Sequence, residues 1–276
     1  MTNYRGLSNI KAMKKTGFTL VELLVVIGVI AMLLAITLPS LLKTREHARI
    51  TVCSSNINQL SLGLHVYAAE HETFPCGWIF STILPDGGYP GSSSDWPGWW
   101  WFNYIEGFYK HNREGKNTLM CPSKNVSRPE LKGNILCGNY GVNQAICKIF
   151  FHPLFQNEFF GTPLKPSDLS HPSQTFLIAD AGYSVINCWH AADTPPSPLS
   201  KTAIGDTSAY IPGLRINKQR SLRPGQESDA IYGRHSNKTI NIGFADGHVG
   251  REKPDSVLVE KTADGYRNLS PLWTPK

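Results

Sequence analysis

The stretch Lys14-Lys15-Thr16-Gly17-Phe18-Thr19-Leu20-Val21-Glu22-Leu23-Leu24-Val25-Val26-Ile27 decides how the rest of the chain is read. A basic leader runs into a glycine, and a long apolar run follows that carries one carboxylate, Glu22. From Leu23 through Leu42 no residue is charged. At about 1.5 Å rise per residue, about 20 residues cross roughly 30 Å of hydrocarbon, so this segment is long enough to span. A removable secretory signal places its small-residue cleavage site after the apolar core, whereas here the glycine stands before it. Anchoring through a lipidated cysteine needs a cysteine directly after the run, and the first one is Cys53. A carboxylate inside a membrane helix costs roughly 2.5–3.5 kcal/mol on insertion and calls for a partner. The alternative is a glutamate that reaches back to the interface near the helix start.

The residues Lys14-Lys15-x-Gly17-Phe18-Thr19-Leu20-Val21-Glu22-Leu23-Leu24 resemble the class III leader of type IV prepilins and pseudopilins. The resemblance implies that a membrane-embedded prepilin peptidase cuts between Gly17 and Phe18 and then methylates the new amine of Phe18. It implies equally that Glu22, one helical turn from that amine, pairs with the Phe18 ammonium of a neighbouring subunit during assembly.

Outward from this stretch, the charge pattern sets the topology. Four of the net +6 charges belong to Arg5, Lys11, Lys14 and Lys15 in residues 1–17, which leaves +2 for the rest. By the positive-inside rule the leader stays cytoplasmic, and the C-terminal bulk faces the periplasm or the exterior. A mature chain so weakly basic is not expected to bind nucleic acid.

The apolar run continues past Pro39, which removes one backbone bond and kinks a helix rather than ending it there. Beyond Lys43-Thr44-Arg45-Glu46 the pattern turns amphipathic. Ile50, Cys53, Ile57, Leu60, Leu64 and Tyr67 recur at spacings of three and four, with Ser54, Ser55, Asn58, Gln59 and Ser61 on other faces. The pattern stops near His71-Glu72-Thr73-Phe74-Pro75. These readings give a leader at 1–17, a transmembrane helix at 18–42, an amphipathic extension at 43–73 and an extracytoplasmic globular domain at 74–276.

The globular part reads as strands and turns. Asp95-Trp96-Pro97-Gly98-Trp99-Trp100-Trp101-Phe102-Asn103-Tyr104-Ile105 is an aromatic platform for sugar or protein, or a short helix whose rings cover a sheet edge or the long helix. Leu119-Met120-Cys121-Pro122-Ser123 and Gly138-Asn139-Tyr140-Gly141-Val142-Asn143 read as punctuation between elements. Thr175-Phe176-Leu177-Ile178-Ala179-Asp180 is a buried-type strand, and residues 190–230 read as a long excursion loop. A hairpin closes the pattern: Ile240, Ile242 and Phe244 alternate with smaller or polar residues, Asp246-Gly247 makes the turn, and His248-Val249 begins the return. Ile240, Ile242 and Phe244 are expected to pack on Ile57, Leu60 and Leu64. The fold class is therefore α+β and pilin-like, a long N-terminal helix packed on a C-terminal antiparallel sheet.

Cys53-x-x-Asn56 with Gln59-Leu60, Cys121-Pro122-Ser123, His171-Pro172-Ser173-Gln174-Thr175, and Arg234-His235 ahead of Phe244-Ala245-Asp246-Gly247-His248 resemble a further group of prepilin-like proteins. Their C-terminal signature is a histidine, about nine residues, then Asp-Gly; here His235 precedes Asp246-Gly247 by a gap of ten residues, 236–245.

Six cysteines allow fifteen connectivities, and none is spaced Cys-x-x-Cys as in a zinc ribbon. Cys53 lies on the apolar helix face and Cys121 precedes a turn placed to pass over it, so a Cys53–Cys121 disulfide is expected. No nucleophile elbow, phosphate loop, dinucleotide fingerprint or His-Glu-x-x-His helix is present. His235, Asp246 and His248, with Asp180, form the one set with metal-ligand chemistry, and structural roles account for them. No cofactor or metal is expected, and a calcium site of loop carbonyls and carboxylates is not locatable from the sequence. The chain reads as a non-enzymatic structural subunit of a type IV pilus-like or type II secretion pseudopilus assembly. Its expected partners are prepilin peptidase, other subunits and the inner membrane, which it crosses once. The alternative is a membrane-anchored binding or enzymatic domain that uses the prepilin leader only for export and anchoring.

Overall fold

In a computed structural model of the full chain, the residues described are 19–80, 97–109, 117–150, 157–194, 209–235, 238–263, 265–267 and 273–274. The first element, α1 (Leu20–His71), contains Pro39 without ending there. A proline removes one rung of the ladder, and the rungs on either side keep the helix going. The chain divides into two compact units, one up to Arg45 and one from Glu46 onward.

In the first unit the apolar side chains from Leu20 to Leu42 are exposed all round the helix. The segment is long and apolar enough to cross a membrane. In the second unit the helix buries Ile50, Cys53, Asn56, Ile57, Leu60, Ser61, Gly63, Leu64 and Ala68. That is the stripe expected from the three-and-four spacing, with Tyr67 half-buried at its margin, except that Ser61, expected on another face, is fully buried. Ile57, Leu60 and Leu64 are fully buried, each contributing about 1.5–3 kcal/mol of hydrophobic free energy. Glu72 ends the helix at a positive φ of 62°, and its carboxylate meets Lys165 Nζ at 2.9 Å.

The stripe lies on a five-stranded sheet. Its strands are β3 (Tyr140–Asn143), β5 (Phe176–Asp180), β6 (Val185–Ile186), β7 (Ile240–Phe244) and β8 (Val249–Glu252), in the order β6-β3-β5-β7-β8. All neighbours are antiparallel except β3 and β6. A smaller sheet, β2-β1-β4, joins β1 (Trp78–Phe80), β2 (Gly98–Trp100) and β4 (Ile149–Phe150), and β9 (Glu260–Thr262) pairs with β10 (Gly265–Arg267). Two short helices complete the element order, α2 (Pro129–Lys132) and α3 (Glu227–Tyr232).

Three further sequence readings change in the folded chain. Gly138–Asn143, taken as punctuation, contains strand β3 with every residue buried. Gly141 is needed there because a Cβ would lie 2.9 Å from the Ala181 Cβ and would collide with the Tyr183 carbonyl. Within 190–230, residues 195–208 lie outside the description, but 209–230 is folded: Ala209, Tyr210, Ile211 and Leu214 are buried, and a 3-10 turn (Arg215–Gln219) and α3 follow.

The hairpin forms with the expected turn, yet its faces are the reverse of the expectation. A Cβ at Gly243 would sit 3.0 Å from Ile57 Cγ2 and 2.8 Å from Ile178 Cγ2, so Gly243 faces α1. Strand alternation turns Ile242 and Phe244 the other way. On that other side Trp273 packs edge-on, 4.6 Å between ring centroids, against Phe176, the cross-strand partner of Phe244. Every residue of β7 is buried, so apolar alternation does not mark which face meets the helix.

The aromatic stretch takes the covering role. Trp100 and Trp101 are buried, and Trp101 Nε1 donates to the Ser184 carbonyl at 2.9 Å. The 3-10 helix Trp101–Phe108 lies against α1 at Gly63, where a Cβ would meet the Phe108 Cβ at 2.9 Å.

Candidate functional site

Two places concentrate the residues singled out by the sequence: the start of α1, and a buried polar cluster where α1 crosses the sheet.

At the helix start, Gly17 and Phe18 lie outside the described residues. Glu22 is described, and it closes a capping box with Thr19. The Thr19 backbone N–H and hydroxyl both donate to Glu22 Oε2, at 2.9 and 2.7 Å, and the Glu22 N–H donates to Thr19 Oγ1 at 3.3 Å. Two of the unpaired N–H groups at the helix end are thereby satisfied, and the carboxylate gains donors without leaving its own chain.

The buried cluster begins at Asp180, the last residue of β5, whose side chain is fully buried. It receives the Asn241 backbone N–H at 2.7 Å, Asn241 Nδ2 at 3.1 Å and Arg234 Nη1 at 3.3 Å, and its Oδ2 lies 3.1 Å from His235 Nε2. Burial alone raises the pKa of this carboxyl; the His235 hydrogen bond and the Arg234 charge overcome that and hold it below the ordinary aspartate range.

Arg234 is buried as well and uses all five of its N–H donors. Nε and Nη2 fork onto Asp229 at 3.1 and 2.8 Å, Nη1 reaches Asn139 O at 2.6 Å as well as Asp180, and Nη2 reaches Ala181 O at 3.0 Å. The Tyr210 hydroxyl donates to Asp229 at 2.9 Å. Burial of Tyr210 first, and the Asp229 charge second, hold that phenol in its neutral form by raising its pKa.

Helix α1 enters the cluster through Cys53 and Asn56. Asn56 Nδ2 donates to the Tyr140 hydroxyl at 3.1 Å, and that hydroxyl lies 3.5 Å from Cys53 Sγ. Cys53 is bridged to Cys121, with the α-carbons 5.5 Å apart across a sequence separation of 68. In the chain-entropy account a loop of that size stabilises the fold by about 4 kcal/mol. The sulfurs, an Asp180 oxygen and a His235 ring nitrogen all lie within 4.8 Å of one another. Among the described residues, His235 Nδ1 has no hydrogen-bond partner, and its nearest carboxylate oxygen is Glu46 Oε1 at 3.8 Å. The ring is thus held from one side only.

Asp246, Gly247 and His248 lie apart from this cluster. Gly247 takes a φ of +94°, which favours glycine. The His248 N–H donates to Asp246 Oδ1 at 3.1 Å, the ring nitrogen Nδ1 lies 2.6 Å from the same oxygen, and the ring stacks on Phe244 at 4.2 Å. Burial raises the Asp246 pKa, and the His248 contacts together reverse that and lower it. His235 and Asp246 thus belong to separate networks, although the sequence signature joins them. The partner of His235 is Asp180, 55 residues away in the chain.

Sequence reasoning missed Arg234 as the hub and Asp229 as its counter-ion. Arg234 stands beside His235 in the quoted signature, so an arginine next to a histidine and ahead of a buried strand was the available signal. Asp229, in the first turn of α3, carries none.

Comparison with known proteins follows this division. Residues 12–38 match the prokaryotic N-terminal methylation motif, and residues 43–107 match a family described as proteins of unknown function (DUF1559). Neither match extends to the stretch from His235 to Gly247. The chain is 32% identical over 81 residues to the competence protein ComGC of Halalkalibacterium halodurans, covering 26% of this chain and 79% of that one. It is 38% identical over 58 residues to the type IV wide pilus major component PilA4 of Thermus thermophilus, covering 21% of this chain and 44% of that protein. It is 27% identical over 62 residues to the type II secretion system core protein G of Pseudomonas aeruginosa, covering 22% and 44%. The chain thus spans less than half the length of the latter two relatives. No solved structure matches. A methylation motif at the head of a long apolar helix, followed by a sheet-bearing domain, defines a pilin-like protein. The chain belongs to the type IV prepilin-like family, with ComGC among its relatives.

Proposed function

We propose that this chain is a structural subunit of a pilus-like or type II secretion pseudopilus assembly. In this reading prepilin peptidase cuts between Gly17 and Phe18, Phe18 is N-methylated, and subunits polymerise through the N-terminal helix. The observation that carries the reading is Glu22, the one carboxylate in an apolar segment whose other side chains from Leu20 to Leu42 are uncharged. A helix that only anchors a domain gains nothing from that charge, because a buried carboxylate costs insertion energy. A helix that pairs with its neighbours needs it, since the new Phe18 ammonium supplies the opposite charge. Thr19 satisfies Glu22 in the single chain, so the carboxylate has donors before a neighbouring subunit arrives.

The four positive charges of residues 1–17 hold the N-terminus in the cytoplasm, leaving a single pass through the inner membrane and the globular domain outside it. With +2 spread over the rest of the chain, partners are other subunits rather than nucleic acid, and the role is structural rather than enzymatic. The test is mass spectrometry of the mature protein together with Gly17→Val. The expected N-terminus is methyl-phenylalanine at Phe18, and the variant accumulates as a precursor that keeps its 17-residue leader. Cleavage beyond residue 35 instead would remove the reading.

A further inference from the structure

The cluster around Cys53 carries donor chemistry that assembly does not use. Two sulfurs, a carboxylate oxygen and an imidazole nitrogen converge within 4.8 Å of one another, and all four residues are buried. They come from four parts of the chain: α1, the turn at Cys121, the end of β5 and the segment ahead of β7. We propose that Cys53, Cys121, Asp180 and His235 form a redox-gated site for one thiophilic divalent cation of the Zn2+ class. The bridge is its closed form, and the dithiol is its metal-binding form.

Three observations support this. First, the spacing fits. Zinc bonds of about 2.0–2.3 Å in a tetrahedron set ligand atoms roughly 3.3–3.8 Å apart. The His235 Nε2 to Asp180 Oδ2 separation of 3.1 Å is close to such an edge, so an ion can replace that hydrogen bond with little movement of either side chain. The sulfurs must part, and the Asn241 amide, whose Nδ2 lies 3.1 Å from both Asp180 Oδ2 and His235 Nε2, must turn aside. Second, the electrostatics attract a cation. Asp180, fully buried, shares the guanidinium of Arg234 with Asp229, so that one cation does not fully neutralise its carboxylate in a medium that screens charge poorly. Third, His235 Nδ1 is a buried nitrogen with no hydrogen-bond partner among the described residues, so the ring is not fixed to one nitrogen by contacts on both sides. Two sulfurs, one nitrogen and one oxygen form a donor set that suits zinc and disfavours calcium or magnesium. Outer contacts are in place for two of the ligands: Arg234 and the Asn241 backbone N–H orient Asp180, and the Tyr140 hydroxyl lies against Cys53 Sγ.

The exchange balances. A dithiol reductant supplies two electrons and two protons, the Cys53–Cys121 bond breaks to two thiols, and the reductant leaves as its own disulfide. The ion then binds both sulfurs as thiolates and expels two protons to water. Reoxidation by a disulfide donor releases the ion.

The test uses the full chain in detergent micelles, with Co2+ and Zn2+ as probes. The oxidised chain is expected to bind neither ion. After anaerobic reduction it binds one ion per chain, the Co2+ form shows the visible bands of a tetrahedral thiolate complex, and X-ray absorption of the Zn2+ form gives two sulfur and two nitrogen or oxygen donors. His235→Gln, checked for retained circular dichroism, is expected to weaken binding at least tenfold. Any of four results overturns the proposal: no ion taken up by the reduced chain, unfolding on reduction, unchanged affinity in His235→Gln, or a shell of three or four sulfurs. The last points to the buried thiols Cys76, Cys137, Cys147 and Cys188 instead.

Discussion

Leu34 and Leu60 are the same residue on the same helix, and their surroundings are opposite. Leu34 is half exposed within its own chain, in a segment apolar on every side; Leu60 is fully covered, in a segment apolar on one face. The first segment offers no face to a soluble partner and suits lipid or the helices of other subunits. The second keeps Ser55, Asn58 and Gln59 exposed and directs Ile57, Leu60 and Leu64 onto the sheet. One continuous helix thus serves two solvents. The change from all-round to one-sided hydrophobicity, between Leu42 and Ile50, marks where one gives way to the other.

Glu22→Ala probes the first segment most severely. In the proposed pairing with the Phe18 ammonium of a neighbour, removing one member of a buried ion pair costs about 3–5 kcal/mol, so the variant is expected to be cut, methylated and inserted as usual while its filament fraction drops below detection. Sedimentation of sheared material measures this. Normal co-assembly with wild-type subunits would reduce the first segment to an anchor.

Leu60→Ala against Leu34→Ala tests the contrast directly. The first opens a cavity under the sheet and is expected to lower stability by about 2–5 kcal/mol. The second is expected to stay within about 0.5 kcal/mol, as for substitutions away from any buried contact. Urea unfolding followed by tryptophan fluorescence reads both, since Trp100 and Trp101 are buried in the second unit. Equal losses would mean that the two segments do not differ as described.

Asp180→Asn sharpens the picture of the second segment. The substitution keeps the shape and removes the charge facing Arg234 and His235, at an expected cost of about 3 kcal/mol. The wild type carries a matching pH dependence. The folded Asp180 pKa is depressed, so its contribution is present above the unfolded aspartate value of about 3.9 and is lost as pH falls through the lower folded value. Thermal melts between pH 7 and pH 2 are expected to show this loss in the wild type and less of it in Asp180→Asn. Identical acid profiles would remove the charge from the account.

Gly247→Val has the smallest expected effect, about 1–3 kcal/mol, from placing a β-branched residue at positive φ. A Cβ there would find its nearest heavy atoms at 3.8 Å, on His65, so backbone strain and not collision supplies the cost. A loss near that of Leu60→Ala would assign the turn a packing role that its surroundings do not provide.

The sequence by itself determined the parts written in local chemistry. The methylation motif, the uncharged run with its single Glu22, the three-and-four stripe of the second helical segment and the Asp246-Gly247 turn each depend on residues a few positions apart. Period, charge and turn chemistry are properties of such neighbours. Only the tertiary structure decided the rest. It paired His235 with Asp180 instead of Asp246 and made Arg234 the hub of a buried network. It also turned Gly243 rather than Ile242 toward α1, and built a strand from Gly138–Asn143. These are long-range choices. A strand buried on both faces has no polar side to orient it, and a buried charge declares its partner only when the chain brings that partner within hydrogen-bond reach. Gly141 reads locally as punctuation and Gly243 as an outward strand position, yet they set how closely the sheet, the 183–184 segment and α1 approach one another.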